Sequence, residues 1–153
     1  ESAADIVSYM DVDLSTDLAA FPHLIQAIEE GYSIAIGSRL LPGSSVKRSF
    51  KRELTSRSYN LIIKSMFRTR FSDAQCGFKA LSGKAAQELV PLIQDQEWFF
   101  DTELLILAEK KGYRIREIPV AWIEDPDTRV AIASTVSEDL KGLLRLRFRS
   151  GEP

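Results

Sequence analysis

Ile6-Val7-Ser8-Tyr9-Met10-Asp11-Val12-Asp13 is an apolar run that stops at two carboxylates one residue apart. Read as a strand, whose side chains alternate between faces, it puts Asp11 and Asp13 on one side of its C-terminal end. In open α/β sheets ligands bind at that end. Two hard oxygen ligands there suit Mg²⁺ or Mn²⁺, which takes one or two carboxylates and leaves room for substrate phosphates. A D-x-D pair also forms at surface turns, so this stretch alone leaves a metal site and a solvated strand end both open.

Working outward, residues 5–10 form the strand itself. Ser15-Thr16-Asp17 then caps a helix reaching about Glu30, with Phe21, Leu24, Ile25 and Ile28 on one face. Gly31 ends it, and a second short strand at 33–36 closes on Gly37-Ser38-Arg39. Strand, helix and strand make a parallel crossover unit. Pro42-Gly43-Ser44-Ser45 is a loop. Helical spacing over 52–67 aligns Leu54, Leu61, Ile62 and Met66. A strand is expected at 78–81 and a short helix at 83–90. A further helix at 99–111 should bury Leu104, Leu105, Leu107 and Ala108. A strand covers 114–122, and a last amphipathic helix runs from about Ser134 with Val136, Leu140, Leu143 and Leu144. The fold class is α/β, a mixed sheet flanked by helices.

The bulk properties narrow the function. At 153 residues the chain is about one domain. A formal charge of −2 gives no overall drive toward nucleic acid or an anionic bilayer. Cys76 is the single cysteine, which excludes an internal disulfide framework and agrees with a reducing cytosol. His23 is the single histidine, so no His-rich metal site exists, and it reads as a surface residue. Cys76 itself reads as a small packed residue, not a nucleophile. No apolar run approaches the roughly 18 residues of a transmembrane helix. The charge is uneven, however. Between Arg39 and Lys84 only Glu53 and Asp73 oppose a long series of arginines and lysines, a pattern that suits local recognition of an anion.

Four blocks follow one another in the order that one active site would use: Asp11-Val12-Asp13-Leu14-Ser15-Thr16, Gly37-Ser38-Arg39, Asp73-Ala74-Gln75-Cys76-Gly77-Phe78-Lys79, and Trp98-Phe99-Phe100-Asp101-Thr102-Glu103. With Trp122 and Thr128-Arg129-Val130 they resemble the family-2 glycosyltransferases of GT-A fold. More narrowly, they are similar to the dolichyl- or polyprenyl-phosphate β-glucosyltransferases and the related mannosyltransferases. The resemblance runs from Asp5 to about Leu146. It implies a partial GT-A, Rossmann-like sheet, with residues 1–153 as the C-terminal two-thirds of one GT-A domain. Because the chain starts almost directly on a core strand, the N-terminal nucleotide-binding units are expected to be missing.

The implied activity is transfer of a hexose, with inversion, from a nucleotide sugar (UDP-glucose or GDP-mannose) to a polyprenyl or dolichyl phosphate. Asp11 and Asp13 would bind Mg²⁺ or Mn²⁺ and the donor diphosphate. The acceptor is already an anion, so cations matter more than a general base. Arg39, Arg52, Arg57, Lys79 and Arg129 are the candidates to hold phosphates. Gln75 and Glu103 complete the expected substrate contacts. Asp73, in a loop before Gly77, and Asp101 are the candidate catalytic acids. A carboxylate in the first turn of a helix, like Asp101, also has a purely structural reason to be there. The lipid acceptor implies the cytoplasmic face of a membrane; the Arg145-Leu146-Arg147-Phe148-Arg149 tail reads either as a solvated helix end or as a segment lying on an anionic bilayer. An exposed sheet edge would allow a homo-oligomer.

Two other classes share the first signal. A phosphohydrolase of the haloacid dehalogenase type also carries D-x-D on a strand end, but Asp125-Pro126-Asp127 substitutes poorly for its later acidic pair. A calcium loop fails because Thr16 and Pro22 stand where glycine and glutamate are needed. The remaining alternative is a non-catalytic fragment or binding module.

Overall fold

The computed structural model describes residues 4–124 and 132–148. Four strands form the main sheet in the order β1 (Ile6–Met10), β4 (Phe78–Ser82), β2 (Ile34–Ser38), β5 (Ile115–Pro119). β2 pairs parallel with β5, Ile34 opposite Ile115. β4 runs antiparallel to both its neighbours, with Met10 opposite Phe78 and Ile36 opposite Lys79. The expected crossover through α1 (Phe21–Glu29) is therefore present but spread. β1 and β2 point the same way, and β4 lies between them.

Period-two alternation sorts the side chains into two cores. Ala35, Phe78 and Ala80 meet Leu24, Ala27 and Ile28 of α1 on one face. Ile34, Ile36 and Leu81 meet the other helices on the opposite face. These are α2 (Phe50–Phe67), α3 (Gly83–Leu89), α4 (Phe100–Lys110) and α5 (Ile132–Phe148). Every residue of β2 is buried, as a strand covered on both faces requires.

Four details differ from the expectation. Asp17 does accept a capping hydrogen bond, from Ala19 N, but it caps a 3₁₀ turn at Leu18–Ala20, and α1 begins only beyond it with Pro22 in its first turn. The strand expected over 114–122 breaks at Val120. Its second part, β6 (Ala121–Ile123), leaves the main sheet and pairs with β3 (Ser45–Lys47), a strand not expected from the sequence that begins on the last residue of the expected loop. On α2 the inward face is Tyr59, Asn60 and Ile63, while Leu54 and Leu61 are exposed. On α5 the inward residues are Asp139, Leu143 and Leu146, with Leu140 and Leu144 outward. The side chain of Val136 lies outside the described residues. No helix among the described residues is long and apolar enough to cross a membrane.

Candidate active site

β1 and β2 end at the same edge of the sheet where the antiparallel β4 begins, so three loops converge there. The first holds the paired carboxylates. Asp11 N donates to the Gly77 carbonyl at 2.8 Å, and the Asp11 carboxylate lies so close that a Cβ on residue 77 would stand 2.1 Å from its Oδ1. Leu14 then adopts a left-handed conformation (φ 52°), and Asp13 Oδ1 accepts from Ser15 N at 3.0 Å. This turn is tied to β6: Ile123 N donates to the Ser15 carbonyl, Asp17 N donates to the Ala121 carbonyl, and Thr16 bridges to Trp122. Burial and the neighbouring charges of Asp101 and Asp13 raise the Asp11 pKa, against the lowering effect of Lys79 and Arg39.

The second loop carries Arg39, which grips Asp73 of the third. Arg39 N and Nε donate to Asp73 Oδ2 at 3.0 and 2.8 Å, and Nη2 donates to Oδ1 at 2.9 Å. Asp73 has no exposed surface. Burial alone would raise its pKa, but the Arg39 guanidinium outweighs that and holds the carboxyl below its ordinary range. The Arg39 guanidinium also lies 5.5 Å from the centre of the Trp122 ring. Around this pair, Asn60 Oδ1 accepts from Ala74 N at 2.9 Å, and the Gln75 amide donates to Asp139 Oδ2 at 2.8 Å. Ser72 donates to Glu117 through both its N and Oγ, and its hydroxyl meets that of Ser38.

The alternation that sends Phe78 toward α1 sends Lys79 to the opposite face. There the buried ammonium donates to Asp101 Oδ1 at 2.8 Å and to the Cys76 carbonyl at 2.5 Å. The Tyr9 hydroxyl donates to the same Asp101 oxygen at 2.5 Å. Burial first, and then the Asp101 charge, raise the Tyr9 pKa. Asp101 sits in the first turn of α4 and keeps part of its surface open. Two residues on, Glu103 is fully buried. It accepts from Asp95 N at 3.0 Å and pairs with Arg145 of α5 at 2.6 Å.

The converging loops thus bring together Asp11, Asp13, Arg39, Asp73, Gln75, Lys79 and Asp101. Glu103, two residues along α4 from Asp101, has no surface for a ligand. Arg52 pairs with Glu124 at 2.8 Å and Arg57 pairs with Glu53 at 2.5 Å, both along α2. Arg129, with Thr128 and Val130, lies outside the described residues. Cys76 is buried, and burial pushes its thiol up to about 11, in keeping with a packed residue. The sequence reading missed Tyr9, Asn60 and Asp139. For Asp139 a signal existed: it stands at i with Leu143 at i+4 and Leu146 at i+7, a carboxylate on the buried stripe of a helix.

Among the described residues no group of three or more His, Cys, Asp or Glu side chains could hold a metal ion unaided. Asp11 and Asp13 nonetheless fit a divalent cation that completes its shell with phosphate and water. They repel each other at a strand end, with Asp101 as a third like charge, and a cation there relieves that repulsion.

No protein-family model matches the chain. Glycosyltransferase AglD of Haloferax volcanii is 38% identical over 133 residues, covering 86% of this chain and 21% of that protein. The dolichyl-phosphate β-glucosyltransferase of Dictyostelium discoideum is 29% identical over 92% of this chain and 45% of its own length. The Saccharomyces cerevisiae enzyme of the same name is 31% identical, over 76% and 36% respectively. The chain therefore spans less than half the length of each of these relatives. Among solved structures, glucosyl-3-phosphoglycerate synthase from Mycobacterium tuberculosis, in complex with UDP, superposes with a TM-score of 0.68 at 16% identity. That match covers 95% of this chain and 50% of that one.

Proposed function

Because the chain is a homologue of glycosyltransferase AglD and of the dolichyl-phosphate β-glucosyltransferases, built on a GT-A fold, we propose that it serves hexose transfer from a nucleotide sugar to a polyprenyl phosphate. The observation that carries this reading is the convergence of Asp11, Asp13 and Asp101 at the loop end of the sheet, with Arg39 and Lys79 beside them. The names of two of these relatives favour a glucosyl donor and a β-linked product, hence inversion of an α-linked donor. The UDP of the structural neighbour favours UDP-glucose.

In this reading Asp11 and Asp13 hold Mg²⁺ or Mn²⁺ against the donor diphosphate. When bound, the cation neutralises charge on the leaving nucleoside diphosphate. Arg39 presents its guanidinium beside Trp122 to a phosphate, and Asp73, which spends both oxygens on Arg39, is a positioning residue for it and not an acid or base. Asp101 is the carboxylate that meets the sugar or the acceptor. Tyr9 and Lys79 fix one of its oxygens and leave the other for the ligand. Lys79 and Gln75 act from behind, through Asp101 and through the loop. An acceptor phosphate is anionic near neutral pH and attacks without a base, so orientation is the main requirement.

The lipid acceptor places the protein at the cytoplasmic face of a membrane. Two exposed helix faces support this: Phe50, Leu54 and Leu61 with Arg57 and Lys64 on α2, and Leu140 and Leu144 with Lys141 on α5. Among the described residues β1 is an edge strand of the sheet, open to a strand from elsewhere in the same protein or from a second copy.

A transfer assay with polyprenyl phosphate, Mg²⁺ or Mn²⁺ and a panel of nucleotide sugars tests the reading. Lipid-linked hexose is the expected product, and Asp13→Asn should lower its formation by at least about 100-fold with the fold intact. Hydrolysis of simple phosphoesters without any lipid product would instead favour the phosphohydrolase.

A further inference from the structure

The long basic series in the middle of the sequence is only partly used by the converging loops. Arg68 and Arg70, which follow α2, turn instead to the far side of the sheet, along β5. β1 and β5 are its opposite edges, three strand spacings of about 4.8 Å apart.

An open cleft of about 730 Å³ lies beside β5. Arg68, Arg70, Lys110, Arg114 and Arg116 line it, all exposed, and none of them takes part in an ion pair among the described residues. The acids in the wall are committed to other donors. Both Glu109 oxygens accept from Arg70 N, at 2.9 and 3.1 Å, and Glu117 accepts from Ser72. Two of the cations are braced by an aromatic ring: the guanidinium carbons of Arg114 and Arg116 lie 4.4 and 5.6 Å from the centre of Tyr32. Like charges gathered this closely repel one another, and in a chain of net charge −2 they are not explained by a general basic character. A multivalent anion relieves the repulsion, and the volume suits a ligand of small-molecule size.

We propose that this cleft binds a ligand carrying two or more phosphate charges, at a place separate from the Asp11–Asp13 end. A soluble diphosphate and the headgroup of a lipid with two phosphates share that chemistry. Glu117 links the cleft to Ser72, next to Asp73, so an occupant would rest against the loop that holds Arg39.

The test is titration of the chain at low ionic strength with inorganic pyrophosphate and, in parallel, with phosphatidylcholine vesicles containing cardiolipin, whose headgroup carries two phosphates. The chain and all solutions are first freed of divalent cations on a chelating resin, so that cation binding by Asp11 and Asp13 plays no part. Arg114→Gln/Arg116→Gln should weaken binding by about tenfold or more, whereas Lys47→Gln/Lys84→Gln, which removes the same charge elsewhere, should change it less than about twofold. Loss confined to pyrophosphate identifies a soluble ligand, and loss confined to vesicles identifies a headgroup. Absence of binding by the unaltered chain to either probe, or equal weakening in both double variants, overturns the proposal. Circular dichroism of both variants guards against misfolding, and all four positions are exposed.

Discussion

Gly77 leaves empty the space that a side chain would take, and the Asp11 carboxylate uses it. Alanine there must push the carboxylate aside, since a Cβ cannot stand 2.1 Å from an oxygen. Because the Asp11 residue is only partly covered and its carboxylate can swing toward solvent, the protein adjusts at small cost in stability but loses the placement of Asp11 beside Asp13. Gly77→Ala is therefore expected to weaken Mn²⁺ binding by at least about tenfold, read by electron paramagnetic resonance, with the thermal midpoint nearly unchanged. Asp139 makes the opposite case, a residue whose charge opposes folding. Burial pushes its carboxyl up to about 7, from 3.8, and the one hydrogen bond from Gln75 offsets only part of that. The folded state thus keeps a proton that the unfolded chain releases. Stability from this group is complete below about pH 4, falls as pH rises toward 7, and is level above. Asp139→Asn can still accept from Gln75. It should remove that slope in urea titrations and stabilise the protein at pH 8 by up to a few kcal/mol, at about 1.4 kcal/mol for each tenfold change in proton affinity. An unchanged slope would show that Asp139 is solvated.

At the scale of elements, the strands were legible because their apolar runs are short, bounded by glycine or charge, and buried on both faces. β2 is the clearest case. The helices were legible in extent but less so in orientation. α2 carries apolar residues around most of its circumference, so spacing alone could not show that Tyr59, Asn60 and Ile63 face inward. Tyr59 and Asn60 point in because they have partners there, Thr102 and Ala74, which a single sequence does not reveal. β3 and β6 are three residues each and form through pairing with each other, β6 also through its bonds to the turn at Ser15–Asp17. The candidate carboxylates at 11, 13 and 101 were found at the sheet end, whereas the arginine that Asp73 holds and the glutamine that Asp139 holds were readable only as separate polar residues. α5 is held by Arg145 on Glu103 and by close approach at Gly142, where a Cβ would meet the Phe99 ring at 2.5 Å. In an exposed helix Gly→Ala stabilises. Here the ring must move, so Gly142→Ala is expected to cost about 1–3 kcal/mol in chemical denaturation.

For the molecule as a whole, three ion pairs reach the interior: Arg39–Asp73, Lys79–Asp101 and Arg145–Glu103 each include a fully buried side chain. Exposed pairs such as Lys84–Glu88 add little. Salt screens the second kind and barely reaches the first. Raising NaCl from about 50 to 500 mM should hence move the unfolding midpoint by less than about 3 °C, while anion binding in the β5 cleft weakens steeply. A large salt effect on the midpoint would mean that water enters these interior pairs.

The hydrogen bond between Tyr9 and Asp101 spans 92 residues, and it has a consequence for biosynthesis. On the ribosome, β1, β2 and β4 all emerge before α4 does. If β4 docked at once in its final register, the Lys79 ammonium would enter the interior with no carboxylate to meet it, at a desolvation cost of several kcal/mol. We therefore expect β4 to stay loosely attached until Asp101 emerges, and its amides to be unprotected from hydrogen exchange in a chain truncated before α4. Completion of the sheet and assembly of the acidic end would then be one late event.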